Sequence, residues 1–470
     1  MTSAYSSKLA LFQPPPIENG IKGEQFIEFR PTTTLSDGAA IEFSILGTSA
    51  DYIDLKKSRL AIKVKVTKAN GDPLDAPPDP LPTTPTPTEA QRTAHTNAMT
   101  NYNNNTVSVV NMILHSLFRQ VDVSLQQKVI TPGIGVNYPY KAMLDVLLNY
   151  GHEIQGSQLQ AEGFYKDTAL VTTERGEDGN LTEADMPAPL GRGNLNAGER
   201  LRWGLTNQNE TLSLEGPLHV DICQVDKLVI NGVQIVVKLF PSLNGFCLRT
   251  GGGCTEKYKV KIMDAVLKVC HAKINPKIIV AHNEVLTKNV ALYPFWKSEI
   301  KTYSIPQGSS TQSMDNLFYS GCPQRLIVGF VNSKAYVGNY HFNPFNFQHF
   351  DLSYLECSLD GRSVPGEAVK ANFEEKDFVD AYTTLFNSRY PACGSADFIA
   401  KDDYPQGYAL YVFNLESYVQ GAMMSNTIKG HTRLTVRFDK PIPEGGATMI
   451  LYGQFPSVMK IDKSRNVILT

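Results

Sequence analysis

Cysteine, tryptophan and excess charge are all scarce in this 470-residue chain, and each scarcity excludes something. The seven cysteines are Cys223, Cys247, Cys254, Cys270, Cys322, Cys357 and Cys393. No two stand at C-x-x-C spacing and the number is odd, so buried free thiols in a reducing compartment are expected. Lys and Arg number 44 against 46 Asp and Glu, a net charge of −2. There is no global basic field to hold nucleic acid, and any contact with a genome would have to be local. No stretch approaches the roughly 20 apolar residues needed to span a bilayer. The segment from Met1 to Phe12 lacks the apolar run of a secretion signal.

Recognisable chemistry is missing as well. There is no G-x-x-x-x-G-K-[ST] phosphate loop, no His-Glu-x-x-His and no G-x-S-x-G elbow. Gly191-Arg-Gly193 begins like a dinucleotide fingerprint, but Asn196 holds the third position and no strand precedes it. The nine histidines are scattered. His341 and His349 lie eight apart in an aromatic segment, where packing is the expected role. Asp402-Asp403 sits in a Tyr/Pro/Gly loop and reads as a solvated pair. No catalytic residue, cofactor site or metal ligand is therefore expected, and the chain is read as a non-enzyme.

Apolar residues, by contrast, make up 42% of the chain, enough for sizeable cores. Aromatics at 10%, with 28 Pro and 35 Gly, favour strands and loops over helices. The length suggests two domains. Residues 1–23 read as an extended arm stiffened by Pro14-Pro-Pro16. In Arg59–Thr67, Leu60, Ile62, Val64 and Val66 share one face and Lys63, Lys65 and Thr67 the other, the pattern of a half-buried strand. Seven prolines between Pro73 and Pro87, followed by a Thr/Asn-rich run, mark 72–105 as an exposed insertion, partly polyproline-like and without core residues.

Pro139 suits a first helical turn, Met143, Leu144, Leu147 and Leu148 make a stripe, and Gly151 ends it. Residues 170–200 read as a second loop. Asn231-Gly232 is a hairpin turn signal. Gly251-Gly-Gly253 is the expected domain boundary. Tyr258–His271 alternates and changes phase near Met263, as a bulge would. Asn275-Pro276 caps a helix running toward Leu286. Further strands are expected at 302–305, 325–330, 352–359, 408–415, 431–438 and 448–455. Each half thus has about eight short strands, which fits an all-β chain of two consecutive antiparallel eight-stranded jelly rolls, with a few short helices and long loops. The expected limits are 24–245 and 255–470.

One segment stands out, Tyr340-His-Phe-Asn-Pro-Phe-Asn-Phe-Gln-His-Phe350. Its rings could stack nucleic-acid bases, but it has no Lys or Arg. Phe342, Phe345, Phe347 and Phe350 are therefore candidates for core packing or a subunit interface, with Asn343-Pro344 turning the chain between them.

At these residues the chain resembles the double jelly-roll major capsid proteins of Polinton/Maverick-type elements and adintoviruses. The resemblance is carried by the order of segments along nearly the whole chain. They include Asp51-Tyr-Ile-Asp-Leu55, Leu114-His-Ser-Leu-Phe-Arg-Gln-Val-Asp-Val123, Tyr138-Pro-Tyr140 and Leu148-Asn-Tyr-Gly151. Phe164-Tyr-Lys-Asp-Thr-Ala169, Gly216-Pro-Leu-His219, Asn343-Pro-Phe-Asn-Phe-Gln-His-Phe350 and Ile461-Asp-Lys-Ser-Arg-Asn-Val467 follow. The insertion at 72–105 departs from the pattern by its length. The resemblance implies a homotrimer of pseudo-hexagonal outline that tiles an icosahedral virion capsid around double-stranded DNA. It also implies a penton or minor capsid partner, no membrane span, no sequence-specific DNA binding, and synthesis in the host cytoplasm. Two other readings stand beside it: a carbohydrate-binding or hydrolytic β-sandwich, and a domesticated host protein that keeps the capsid fold.

Overall fold

A computed structural model of the chain describes residues 20–47, 50–81, 86–131, 137–168, 196–206, 209–251, 254, 256–319, 321–364, 366–386, 399–415 and 430–469. The strands are antiparallel and fall mainly into four sheets. Two four-stranded sheets make the first sandwich. One runs in the order Ile21–Phe29, Tyr258–Ile274, Tyr52–Lys68, Leu212–Pro217. The other runs Ile41–Ile45, Ile235–Pro241, Phe118–Leu125, Lys128–Val129. Two five-stranded sheets make the second. One is built on Ala291–Ile305, Ala447–Ile461, Arg325–Asn332 and Leu410–Asn414, and the other on Thr311–Asp315, Thr432–Phe438 and Leu352–Leu359.

Alternation explains the layers. Leu60, Ile62, Val64 and Val66 are buried, as are Leu434, Val436 and Phe438. Lys63, Arg433 and Arg437 between them are exposed. One face of each strand thus enters a core and the other meets water.

The expected boundary at 245–255 does not separate the sheets. The 17-residue strand Tyr258–Ile274 pairs on one side with Ile21–Phe29 and on the other with Tyr52–Lys68, so it lies in the middle of a first-sandwich sheet. Gly251-Gly-Gly253 punctuates the chain, but punctuation does not reveal where the next strand pairs. The sheets change over instead near the helix Pro276–Leu286, capped by Asn275, whose side chain accepts from the Lys277 amide at 3.2 Å. The ladder between Tyr52–Lys68 and Tyr258–Ile274 shifts register between Ile262 and Asp264, so Met263 is the bulge its sequence indicated.

Four other expectations change. The strand Ile21–Phe29 begins inside the expected arm, whose residues 1–19 lie outside the described ones. The loop expected at 170–200 lies mostly outside them too, and its end starts the helix Ala197–Thr206. The first insertion holds a 16-residue helix, Glu89–Asn104. Thr88 and Gln91 form a reciprocal capping box at its start. Leu74, within the same insertion, is buried. The strand expected at 302–305 is the end of a longer one, Ala291–Ile305. Pro294 hid its first part, and that proline is tolerated because the strand lies at a sheet edge.

Candidate functional site: the buried seam between the two sandwiches

The helix Tyr138–Asn149 builds the seam. Pro139 sits in its first turn, and every residue from Tyr138 to Leu148 is buried. Two of those residues carry charge, and a charge out of water must be paired. Lys141 and Asp145, one turn apart, meet at 2.8 Å, and Lys141 also reaches Asp221 at 3.1 Å. The second sandwich completes the group. Asp221 accepts from the Ser298 amide and hydroxyl at 2.7 and 2.8 Å. Tyr452 donates to Asp145 at 3.1 Å, and its oxygen accepts from Gln454 at 3.0 Å. Burial opposes the charge on Lys141, but Asp145 and Asp221 outweigh it and hold its pKa well above the usual value. Burial likewise opposes ionisation of Asp145, and Lys141 and His219 prevail, holding its carboxyl below the usual range.

Beside this polar group lies an aromatic one. Tyr140 of the same helix stacks on Tyr336 of the second sandwich, with centroids 5.9 Å apart, and meets the edges of Phe345 and Phe347 at 5.7 and 6.4 Å. Phe246 of the first sandwich adds a perpendicular contact to Phe345 at 6.0 Å. Phe342, Phe345, Phe347 and Phe350 are all buried within the one chain, which leaves little ring surface for a neighbouring subunit. Phe345, Phe347 and Phe350 join the main core, while Phe342 is buried outside it. The Asn343 side chain accepts from the Phe345 amide at 3.0 Å and so makes the turn expected at Asn343-Pro344. Gly329 leaves the space Phe347 fills, since a Cβ there would stand 2.9 Å from that ring.

A third group closes the seam. The Asp167 carboxylate accepts from Arg202 at 2.6 Å and from Asn343 at 3.2 Å, and the Asp167 carbonyl accepts from Tyr408 at 2.7 Å. Arg202 also donates to the Val109 and Tyr165 carbonyls. First-sandwich loops are thereby tied to second-sandwich loops at fixed points. Nearby, Lys166 pairs with Asp403, so that half of the Asp402-Asp403 pair has a partner.

Deeper in the first sandwich, behind Asp145, the donor atoms of His115, Glu162 and His219 lie within 4.8 Å of one another. Glu162 accepts from His115 at 2.8 Å and lies 3.6 Å from His219. Burial works against the Glu162 carboxylate, yet the two imidazoles pull its pKa down to about 2. Burial lowers the pKa of His115 and prevails over Glu162, whereas Asp145 and Glu162 overcome burial at His219 and raise it. The sequence reading missed this group because its members stand about fifty residues apart. The polar seam did leave a signal, a Lys and an Asp spaced i, i+4 within an otherwise apolar helix.

Six of the seven cysteines lie among the described residues, and all six are free and buried. Burial pushes the thiols of Cys223, Cys247 and Cys357 up to about 12, so they are unreactive. Among the described residues no helix is long and apolar enough to cross a membrane.

Two sandwiches joined across such a seam define an all-β double jelly-roll chain, the fold of viral major capsid proteins. The chain aligns with a solved Faustovirus major capsid protein at a TM-score of 0.57, with 9% identity over 95% of this chain and 92% of that one. It matches a Sputnik virophage chain at 0.57, with 9% identity over 100% of this chain and 93% of that one. For a chain of the PBCV-1 virus capsid the TM-score is 0.55, with 10% identity over 98% of this chain and 99% of that one. An uncharacterised protein of Caenorhabditis elegans is 24% identical over 442 residues, which are 91% of this chain and 92% of that protein. No family model matches the chain.

Proposed function

We propose that this chain is a structural major capsid protein. Three copies form a pseudo-hexagonal capsomer, and capsomers tile an icosahedral shell around double-stranded DNA. The observation that carries this reading is the seam. Two jelly rolls held by buried polar, aromatic and ionic contacts form one stiff block, and six sandwiches in a trimer suit a lattice site with six neighbours. The end-to-end alignment with capsid chains of the same length class supports the same reading. Exposed apolar side chains such as Val280, Val285 and Leu292 give neighbouring copies surface to cover. The near-neutral net charge fits a shell that encloses DNA without reading its sequence. In this reading the chain meets a penton or minor capsid protein at the shell vertices, is made in the host cytoplasm, and descends from a Polinton/Maverick-type or adintovirus lineage.

A second reading is favoured by the nematode relative. In it, the chain is encoded by an animal genome and keeps the fold without forming virions. Light scattering coupled to gel filtration tests the first reading. The expected particle has three times the 51.9 kDa chain mass, and electron microscopy under assembly conditions should show trimers or shells. A strict monomer at micromolar concentration would overturn it.

A further inference from the structure

We propose that His115, Glu162 and His219 form a buried site for one divalent transition-metal ion of the zinc class, which braces the first sandwich next to the seam.

The three ligands come from separate pieces of chain. His115 lies in the short helix Ile113–Ser116, Glu162 ends the turn of helix Gln158–Glu162, and His219 follows the strand Leu212–Pro217. All three are buried. The two imidazole rings stand perpendicular, at 89°, with centroids 4.7 Å apart. Each has one nitrogen on the side of Glu162 and the other toward a polar neighbour, which at His115 is a hydrogen bond that fixes the ring. His115 Nδ1 lies 2.9 Å from the Tyr138 hydroxyl, and His219 Nδ1 lies 3.7 Å from Asp145. A histidine ligand held through its far nitrogen by a hydroxyl or carboxylate is the usual support of a zinc site.

Two independent observations point to a missing ion. Neither nitrogen of His219 has a partner at ordinary hydrogen-bond distance, its carboxylate neighbours Glu162 and Asp145 standing at 3.6 and 3.7 Å, although the ring is buried. An orphaned buried polar atom is costly, and a ligand bond to Nε2 removes that cost. The second is charge. Asp145, Glu162 and Asp221 bring three carboxylates into one connected buried group, and Lys141 brings one ammonium. Carboxylates outnumber the ammonium in this group, and a divalent cation offsets that excess.

The fit is close. Tetrahedral zinc bonds of about 2.0–2.2 Å place donor atoms roughly 3.3 Å apart. Glu162 would move roughly half an ångström from His115, and His219 would close on Glu162 by less. Room for the Glu162 side chain depends on Gly216, where an added Cβ would stand 2.4 Å from Glu162 Cγ. A cavity of about 50 Å³ is lined by His219, Tyr138 and Lys141, so a small space lies on the His219 side of the group. Two nitrogens and one carboxylate suit zinc and cobalt, and the absence of thiolates argues against copper(I).

The test uses the full-length protein, stripped with a chelator, dialysed, and then given Zn²⁺ or Co²⁺. The expected result is one ion per chain by mass spectrometry of the metal and an intense visible spectrum of tetrahedral cobalt. The Tm should rise by roughly 3 °C at a hundredfold excess over Kd. His219→Gln and Glu162→Gln should lose the stoichiometric ion and the Tm rise. Uptake of no stoichiometric zinc by the wild-type protein would overturn the site. So would a weak octahedral cobalt spectrum, or full retention by His219→Gln. The cobalt spectrum of the wild-type chain decides the matter even if a variant fails to fold.

Discussion

At the scale of single residues, the seam depends on side chains that cannot be changed without leaving a void or an orphan. Phe347 is fully buried against Tyr140, and Gly329 has given up its own side chain to admit the ring. Phe347→Ala should therefore cost about 3–5 kcal/mol. Urea denaturation measures it, and a loss below 1 kcal/mol would show that the pocket collapses around the gap. The buried acids make a second prediction. In metal-free protein, Asp145 and Glu162 have folded pKa values held below their ordinary ones, Glu162 at about 2. Such groups stabilise the fold above their unfolded pKa and lose that contribution as pH falls through the folded one. His115, with a lowered pKa, also favours the fold above its ordinary value, whereas the raised pKa of His219 favours it below. Near pH 6.5 the two histidines thus oppose each other. Stability should stay nearly level from neutrality to about pH 5 and fall steeply toward pH 2. Lys141, Asp221, Tyr138 and Tyr452 face the same group and keep it closed to solvent. Unfolding free energies across pH 2–8 check this, and a flat profile below pH 4 would contradict it.

At the scale of elements, the insertion is an addendum to a sheet rather than part of it. Lys68 lies opposite Tyr258 in the ladder and pairs with Asp75, and the Tyr258 hydroxyl donates to the Asn105 carbonyl. Both ends of the insertion therefore approach the same end of the sheet's two central strands. Leu74 is buried and bonded through its backbone to Asn209, so it belongs to the body. Replacing residues 76–104 by a short Gly/Ser linker should leave the fold intact, because halving a loop changes its closure cost by only about 0.6 kcal/mol. Far-ultraviolet circular dichroism and melting check it. An insoluble product would show that the helix Glu89–Asn104 packs where a partner or the core needs it. That helix was legible in principle. Thr88 and Gln91 have capping-box spacing, but the proline run before them and the polar composition masked it.

At the scale of the whole molecule, the seam makes the two sandwiches one thermodynamic body. Pulling them apart would strip Asp221 of Ser298 and Asp145 of Tyr452, and would leave Tyr140 without Tyr336. Independent domains normally meet over more polar, more easily parted interfaces. Calorimetry should show a single transition whose calorimetric and van't Hoff enthalpies agree, while two resolved transitions would mean the sandwiches fold separately. The sequence alone determined which side of each strand is apolar, the helices opened by Pro139 and by Asn275-Pro276, the bulge at Met263 and the all-β character. These are local properties, written in spacing of two or of three to four residues and in turn chemistry. Tertiary structure alone decided that Tyr258–Ile274 returns to the first sheet. It also decided that Pro294 sits in an edge strand, and that Lys141, Asp145, Glu162, His115 and His219 meet. Those facts rest on contacts between residues tens to hundreds of positions apart. Their partners are chosen by the packing of whole sheets, and a one-dimensional pattern carries no record of that choice.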